Sequence, residues 1–275
     1  MPLIPVTDPD DPCLAPYRAV RERDVVGHGE RFVAEGEVVL RLLVEGGRGA
    51  GPRFTTESAL IAEARVAALS ELLSALPGHV PVYVAGREVM DAVVGFPIHR
   101  GVLAIGRRPA PETAAGLLAR LPERALVVAL SGVSNHDNVG GIFRNAAAFG
   151  ADAVLLDGAC CDPLYRKAIR VSVGASLVLP FARGGSGAAL LDALDGAGFD
   201  TLALSPAGAQ ELGDAALADR TALLLGAEGP GLSADLMARA TTVRIAMAGG
   251  FDSLNVATTS GIALYAATRS RLTGA

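Results

Sequence analysis

Short apolar runs recur through the second half of the chain. Each is separated from the next by a stretch with helical spacing. Ala125–Leu130, Ala153–Leu156, Leu177–Pro180, Thr201–Leu204, Thr221–Leu225 and Thr242–Met247 read as strands. Helical spacing falls at 139–149, near 163–169, and at 187–197, 233–239 and 254–271. Runs that are apolar throughout mark strands covered on both faces, and their alternation with helices predicts an α/β fold, a parallel sheet with helices on both faces. In such sheets ligands gather at the carboxyl ends of the strands. Chemistry is therefore expected just after Leu130, Leu225 and Met247.

The first half has a different rhythm. Its opening residues, to about Cys13, are rich in Pro and Asp and are expected to be extended. Pro16 to Arg23 has the spacing of a short helix, as does Glu37 to Leu43 after Phe32–Gly36. Gly46 to Pro52 is a loop. Ala59 to Leu76 has helical periodicity and stops at Pro77-Gly78. Val80–Val84 reads as a strand, Glu88–Val94 as a helix and Val102–Ile105 as a strand. This predicts a small N-terminal α/β domain over residues 1–107. Arg107-Arg108-Pro109-Ala110-Pro111 breaks the pattern. Residues 108–122 are expected as a linker carrying a helical stretch, and 123–275 as the second domain.

Composition narrows the class. Half of the chain is hydrophobic and 19% is charged, so a sizeable core is available. No apolar run approaches the roughly 20 residues a membrane span needs. The segment Met1–Asp11 lacks the basic and apolar regions of a signal peptide. The expectation is a soluble, cytoplasmic protein without membrane contact. A net charge of −5 argues against a nonspecific nucleic-acid coat but leaves room for a local basic surface. Cys13, Cys160 and Cys161 have no zinc-ligand spacing and no accompanying Cys or His cluster, so reduced thiols and no metal are expected.

Three polar stretches stand out. The first runs from Ser134 to Gly150. Asp137 or Asn138 can cap a helix there. Arg144 falls in the second turn of a helix starting near Val139, among apolar and small neighbours. Such a position is costly unless the guanidinium is ion-paired or faces an anionic ligand, and both remain open. His136 reads as a loop or capping residue. The second stretch, Leu225-Gly226-Ala227-Glu228-Gly229-Pro230-Gly231, is a glycine turn. It is neither a dinucleotide fingerprint nor a Walker loop. Turn shape explains its glycines and leaves Glu228 without a reason. In the third, Ile245 to Val256, Gly249-Gly250 leads to Ser253 and Asn255. Each can cap a helix, and together after a glycine pair they suggest a site.

In their order and placement the three stretches resemble the SpoU/TrmH family of RNA 2′-O-ribose methyltransferases, of the SPOUT class. The family pattern runs Asn, five residues, Arg, then small residues to Gly, matched by Asn138, Arg144 and Gly150. Gly-x-Glu-Gly-x-Gly is matched by Gly226 to Gly231. Ile-Pro-Met-x-Gly-x-x-x-Ser-Leu-Asn-Val is matched by Ile245 to Val256, with Ala246 where the family usually has Pro. Arg170-Val171-Ser172-Val173-Gly174-Ala175 fits a segment between motifs. Glu35-Gly36 and His99 to Ala104 resemble, more loosely, the family's RNA-binding extension.

The resemblance implies a C-terminal trefoil knot, S-adenosylmethionine as cofactor, a homodimer, and methyl transfer to a ribose 2′-hydroxyl of ribosomal or transfer RNA. It implies cofactor contacts from Gly226, Gly229, Ile245, Met247, Leu254 and Val256, and catalytic roles for Arg144, Asn138, Glu228, Ser253 and Asn255. RNA docking on an acidic chain then calls for a basic surface, expected from Arg18, Arg21, Arg23, Arg31, Arg100, Arg166, Lys167 and Arg170. Two other classes compete. A noncatalytic knotted RNA-binding or assembly protein has no need of the intact polar set. A nucleotide-dependent oxidoreductase needs a dinucleotide fingerprint that Val139-Gly140-Gly141 does not supply.

Overall fold

A computed structural model describes residues 3–18, 30–47, 51–95, 97–248 and 253–273. The chain begins with β1 (Leu3–Val6), β2 (Arg31–Glu35), α1 (Glu37–Glu45), β3 (Thr55–Ala62), α2 (Ser70–Ser74), β4 (Val82–Ala85), α3 (Arg87–Val94) and β5 (Val102–Arg107). It continues with α4 (Ala114–Ala119), β6 (Ala125–Leu130), α5 (His136–Ala148), β7 (Ala153–Leu156), α6 (Arg166–Val171), α7 (Ala175–Val178), β8 (Phe181–Arg183) and α8 (Gly187–Gly196). Last come β9 (Asp200–Leu204), β10 (Gln210–Glu211), β11 (Arg220–Leu225), α9 (Ala234–Ala238), β12 (Thr241–Arg244) and α10 (Val256–Thr273). Contacts divide the chain into two compact units. One is Met1–Ala110 with Leu164–Val178, the other Pro111–Pro163 with Leu179–Ala275.

The first unit is built on a mixed sheet in the order β1-β4-β3-β5-β2. β1 and β3 run parallel to β4, whereas β5 is antiparallel to β3 and to β2. Helical periodicity over Ala59–Leu76 is not realised as one helix. Thr55–Ala62 is a strand held between β4 and β5, and helix returns only as short 3-10 turns and α2. Two strand partners outweigh a local spacing signal when most of the run is buried between them. In α1, Val39, Leu40 and Leu43 share one buried face, as an amphipathic helix requires.

Two later helices, α6 and α7, belong to this first unit. At the end of α6 the Gly174 N–H donates to Ile169 O and the Val173 N–H to Arg170 O, a Schellman closure. Val173 occupies its left-handed position with φ 53°. The strand expected at 177–180 is instead α7 followed by β8, because the closure turns the chain directly into another helical turn.

The second unit has a seven-stranded sheet in the order β10-β12-β9-β11-β6-β7-β8, and every pairing in it is parallel. All six residues of β6 are buried. Ala125, Val127 and Ala129 face a core shared with Leu190, Leu191 and Leu194 of α8 and with Leu117 and Leu118 of α4. Residues 114–119, within the stretch expected as a linker, thus form an element of this core. The result is a mixed α/β fold with a parallel, helix-covered sheet, which the unbroken apolar runs anticipate. β12 stops at Arg244, short of the expected Met247. It pairs with β9 up to Val243 and with β10 at Val243 and Arg244, and beyond that no ladder continues. Ile245 to Met247 therefore leave the sheet. Among the described residues no helix is long and apolar enough to cross a membrane.

Candidate active site

Helix α5 starts one turn earlier than the sequence suggests. Its cap is Asn135, whose side chain accepts from the Asp137 N–H at 2.8 Å. Asn138 is thereby released from capping and turned to a tertiary role. It is 7% exposed. Its Nδ2 donates to Glu228 Oε1, and its Oδ1 accepts from Asn255 Nδ2 at 2.8 Å. Asn255 is the cap of α10, with Oδ1 accepting from the N–H groups of Ala257 at 2.9 Å and Thr258 at 3.2 Å. Because capping requires the oxygen, the nitrogen of Asn255 must face Asn138, and Asn138 must then turn its own nitrogen to the Glu228 carboxylate. Capping and site chemistry are both served by one amide.

Glu228 sits in the turn after β11. A Cβ on Gly226 would lie 2.5 Å from the Gly231 carbonyl carbon and 2.5 Å from Leu232 N, so only glycine fits. The turn closes through Gly231 N–H to Ala227 O at 3.0 Å. Gly229 and Gly231 adopt φ values of 86° and 69°. Turn shape accounts for the glycines, and the relay accounts for the acid.

At the carboxyl ends of β9, β11 and β12 lies a cavity of about 420 Å³. Gly226 and Gly229 line it from the turn, Ile245 and Met247 from the segment after β12, and Leu254 and Val256 from the start of α10. Glu228, Ser253 and Asn255 also face it. Asn138 is outside the lining and joins it through the relay. The sequence reading missed Ser205 and Pro206, which follow β9, and Thr259 on α10. The strand-end rule points to the first two once β9 is counted with the other parallel strands. Gly249 and Gly250 lie outside the described residues.

Arg144 is exposed on α5. Among the described residues it makes no ion pair, so the desolvation cost expected for it does not arise. Its neighbour Asn145 donates Nδ2 to Ala257 O at 2.7 Å and to Ser260 Oγ at 3.0 Å. A Cβ on Gly141 would come within 2.9 Å of Ala257 Cβ. Together these hold α5 tightly against the first turn of α10. His136 opens α5 and is half-buried. Burial pushes the Cys160 and Cys161 thiols up to about 12, so neither offers a thiolate nucleophile at neutral pH. Among the described residues no group of three or more His, Cys, Asp or Glu could hold a metal ion.

The basic residues differ in partners and exposure. Arg166 is bonded to Glu35 at 2.8 Å with side-chain exposures of 11% and 8%. Arg31, at the other end of β2, pairs with Glu57 at 2.6 Å. Arg18 donates to Pro9 O at 3.0 Å and Asp11 O at 2.7 Å. Arg100 and Arg170 are exposed, and Lys167 is half-buried. Arg21 and Arg23 lie outside the described residues.

The SpoU rRNA Methylase family model matches residues 125–265. An uncharacterized tRNA/rRNA methyltransferase of Mycobacterium tuberculosis is 41% identical, over 96% of this chain and 91% of its own. The 23S rRNA (guanosine-2′-O-)-methyltransferase RlmB of Pseudomonas putida is 32% identical, over 80% of this chain and 84% of its own. The structure of an AdoMet-bound rRNA methyltransferase from Sinorhizobium meliloti superposes with a TM-score of 0.80 at 25% identity, covering 98% of both chains. A crystal structure of an RNA 2′-O ribose methyltransferase gives 0.76 at 27% identity, covering 98% of this chain and 100% of the other. With a strand-end cavity formed by the motif residues themselves, this chain belongs to the SpoU family of RNA methyltransferases.

Proposed function

We propose that this chain transfers a methyl group from S-adenosylmethionine to a ribose 2′-hydroxyl of ribosomal or transfer RNA. The observation that carries the reading is the Asn138–Glu228–Asn255 relay at the edge of the cavity. The guanosine-2′-O-methyltransferase activity of the RlmB relative and the likeness to an RNA 2′-O ribose methyltransferase support it. The cavity suits the cofactor. Its size falls within the roughly 300–1,000 Å³ of small-molecule sites. Its walls alternate apolar surface from Ile245, Met247, Leu254 and Val256 with polar groups from Ser205, Ser253 and Thr259.

When bound, the cofactor supplies an electrophilic methyl carbon with a neutral thioether leaving group. The chain's own residues supply positioning. Backbone groups near Gly226, Ile245 and Leu254 hold adenine and ribose, where glycine permits close approach. Gly229, Met247 and Val256 complete that wall. Arg144, exposed and without an ion pair among the described residues, binds a target phosphate and orients the 2′-hydroxyl. Glu228, Ser253 and Asn255 line the methyl-transfer site, and Asn138 holds Glu228 and Asn255 from behind it. The reading extends to the trefoil knot, a homodimer and a cytoplasmic protein. It also takes the unit that contains residues 1–107, with α6 and α7 packed in it, as RNA-docking, and the rest of 123–275, with α4 of the 108–122 stretch in its core, as catalytic. Of the basic set, the exposed Arg100 and Arg170 supply the docking unit's basic character together with Arg21, Arg23 and Lys167, whereas Arg166, Arg31 and Arg18 are held by Glu35, Glu57 and backbone carbonyls.

Labelled S-adenosylmethionine and total RNA from a strain lacking this gene test the reading. The expected result is label mapped to a 2′-O-methyl nucleotide. RNA binding without label transfer would establish the noncatalytic alternative.

A further inference from the structure

Moving a methyl group onto a hydroxyl releases one proton, and Arg144 cannot take it. A guanidinium is already protonated at working pH and has no acceptor lone pair. Among the described residues lining the cavity, Glu228 is the one whose side chain ionises. The other polar lining groups are the hydroxyls of Ser205, Ser253 and Thr259 and the amide of Asn255. None of these is a base near neutral pH.

The carboxylate is also held in a defined way. Glu228 Oε1 accepts from Asn138, which accepts from Asn255, which is fixed by the first N–H groups of α10. Among the described residues Glu228 Oε2 has no hydrogen-bond partner, and the side chain is exposed. One oxygen is anchored and the other is available.

We propose that Glu228 is the general base for the methyl transfer, with Asn138 and Asn255 as its positioning residues. The proposal rests on the methyltransferase reading. In a single displacement the bond between the methyl carbon and O2′ forms. The sulfur–methyl bond breaks with its electron pair left on sulfur, and the hydroxyl proton passes to Glu228 Oε2. The carboxylate becomes a carboxylic acid, and its exposure lets solvent remove the proton before the next turnover. Of the described titratable groups, Cys161 feels the charge of Glu228. Its thiol, raised to about 12 first by burial and then by Asp162, stays neutral and does not titrate alongside. Asn138 and Asn255 carry no charge.

Glu228→Gln keeps an acceptor for Asn138 and removes the base. Single-turnover methyl transfer is followed against pH, and S-adenosylmethionine binding is measured by calorimetry. The variant is expected to bind the cofactor within about twofold of wild type and to lose roughly 10²–10⁴ in rate, the usual range for general-base catalysis. The wild-type rise in rate on the acid side should vanish with it. Glu228→Asp, which retains a base at shorter reach, should keep that acid-side rise at a reduced rate. A Glu228→Gln enzyme with wild-type rate, or a slowed one that keeps the acid-side rise, overturns the assignment. So does loss of that rise in Asp252→Asn alone, since Asp252 precedes Ser253 in sequence and lies outside the described residues. If wild-type protein binds the cofactor and methylates no RNA, the functional reading itself fails. If wild type is active and Glu228→Gln matches it, only the base is misassigned.

Discussion

Asn255 reaches Asn138 at 2.8 Å across 117 positions of the chain, while its own oxygen caps α10. One amide thus fixes the helix start and the site at once. Asn255→Asp keeps the capping oxygen and loses the donor. Its stability in urea unfolding is expected to fall by about 1–3 kcal/mol, because the cap is kept while the buried Asn138 oxygen is left without its donor. Methyl transfer should fall by about tenfold or more, the cost of one lost hydrogen bond in a buried network. Asn255→Ala loses both functions and should cost about 1 kcal/mol of stability beyond that. Equal activity in Asn255→Asp and wild type would show that the Asn138 contact is incidental.

Arg144 is exposed on α5, so its replacement should spare the fold and report on the role proposed for it. Arg144→Ala should leave urea stability within about 0.5 kcal/mol of wild type, as for other exposed positions. Cofactor affinity should be preserved and kcat/KM should drop by about 10² or more. Arg144→Lys should recover only part, because a point charge does not reproduce bidentate phosphate recognition. Steady-state kinetics beside calorimetry separate the two effects.

The second unit was legible because its signals are redundant. Ala125–Leu130 and Ala153–Leu156 are buried on both faces, so hydrophobicity alone marks them, and the structure places their strands at the same residues. The six residues expected to touch the cofactor all line one cavity. Less legible were features decided by distant partners. Thr55–Ala62 is a strand because β4 and β5 flank it, which no local period reveals. The start of α5 shifted because Asn135 is as competent a cap as the expected Asp137 or Asn138. Only the tertiary bond from Asn138 to Glu228 decides among them. Arg166 looked like a free cation because its partner Glu35 is 131 positions away.

That pair yields a stability prediction. Glu35 and Arg166 are both largely buried. Glu35→Ala removes a buried carboxylate from beside the guanidinium and should cost about 3 kcal/mol in urea unfolding, near the lower end for a broken buried pair. Replacing both together, Glu35→Leu with Arg166→Met, should recover most of the loss. A double variant no more stable than Glu35→Ala would mean that packing dominates at this position.

The adjacent thiols give a pH dependence. Cys160 and Cys161 are raised from 9.0 to about 12, chiefly by burial. A folded-state value above the unfolded one contributes stability that is whole below about pH 9. It is lost progressively as pH rises toward about 12, where the unfolded chain gains thiolate that the folded chain resists. Urea midpoints should therefore fall between pH 8 and pH 10.5, and fall less in Cys160→Ala/Cys161→Ala. A parallel decline in both proteins would assign the loss to other groups.

Leu164–Val178 packs with a unit whose remaining chain ended at Ala110. The gene therefore holds no single breakpoint that parts one folding unit from the other. A fragment stopping at Ala110 strands Glu35 without Arg166, and a fragment starting at Pro111 carries α6 and α7 with nothing to bury them. Exchange of the first unit between relatives by one recombination crossover would break this packing unless the graft also carried the inserted helices. Chimaeras of this family are best built as two-segment transplants.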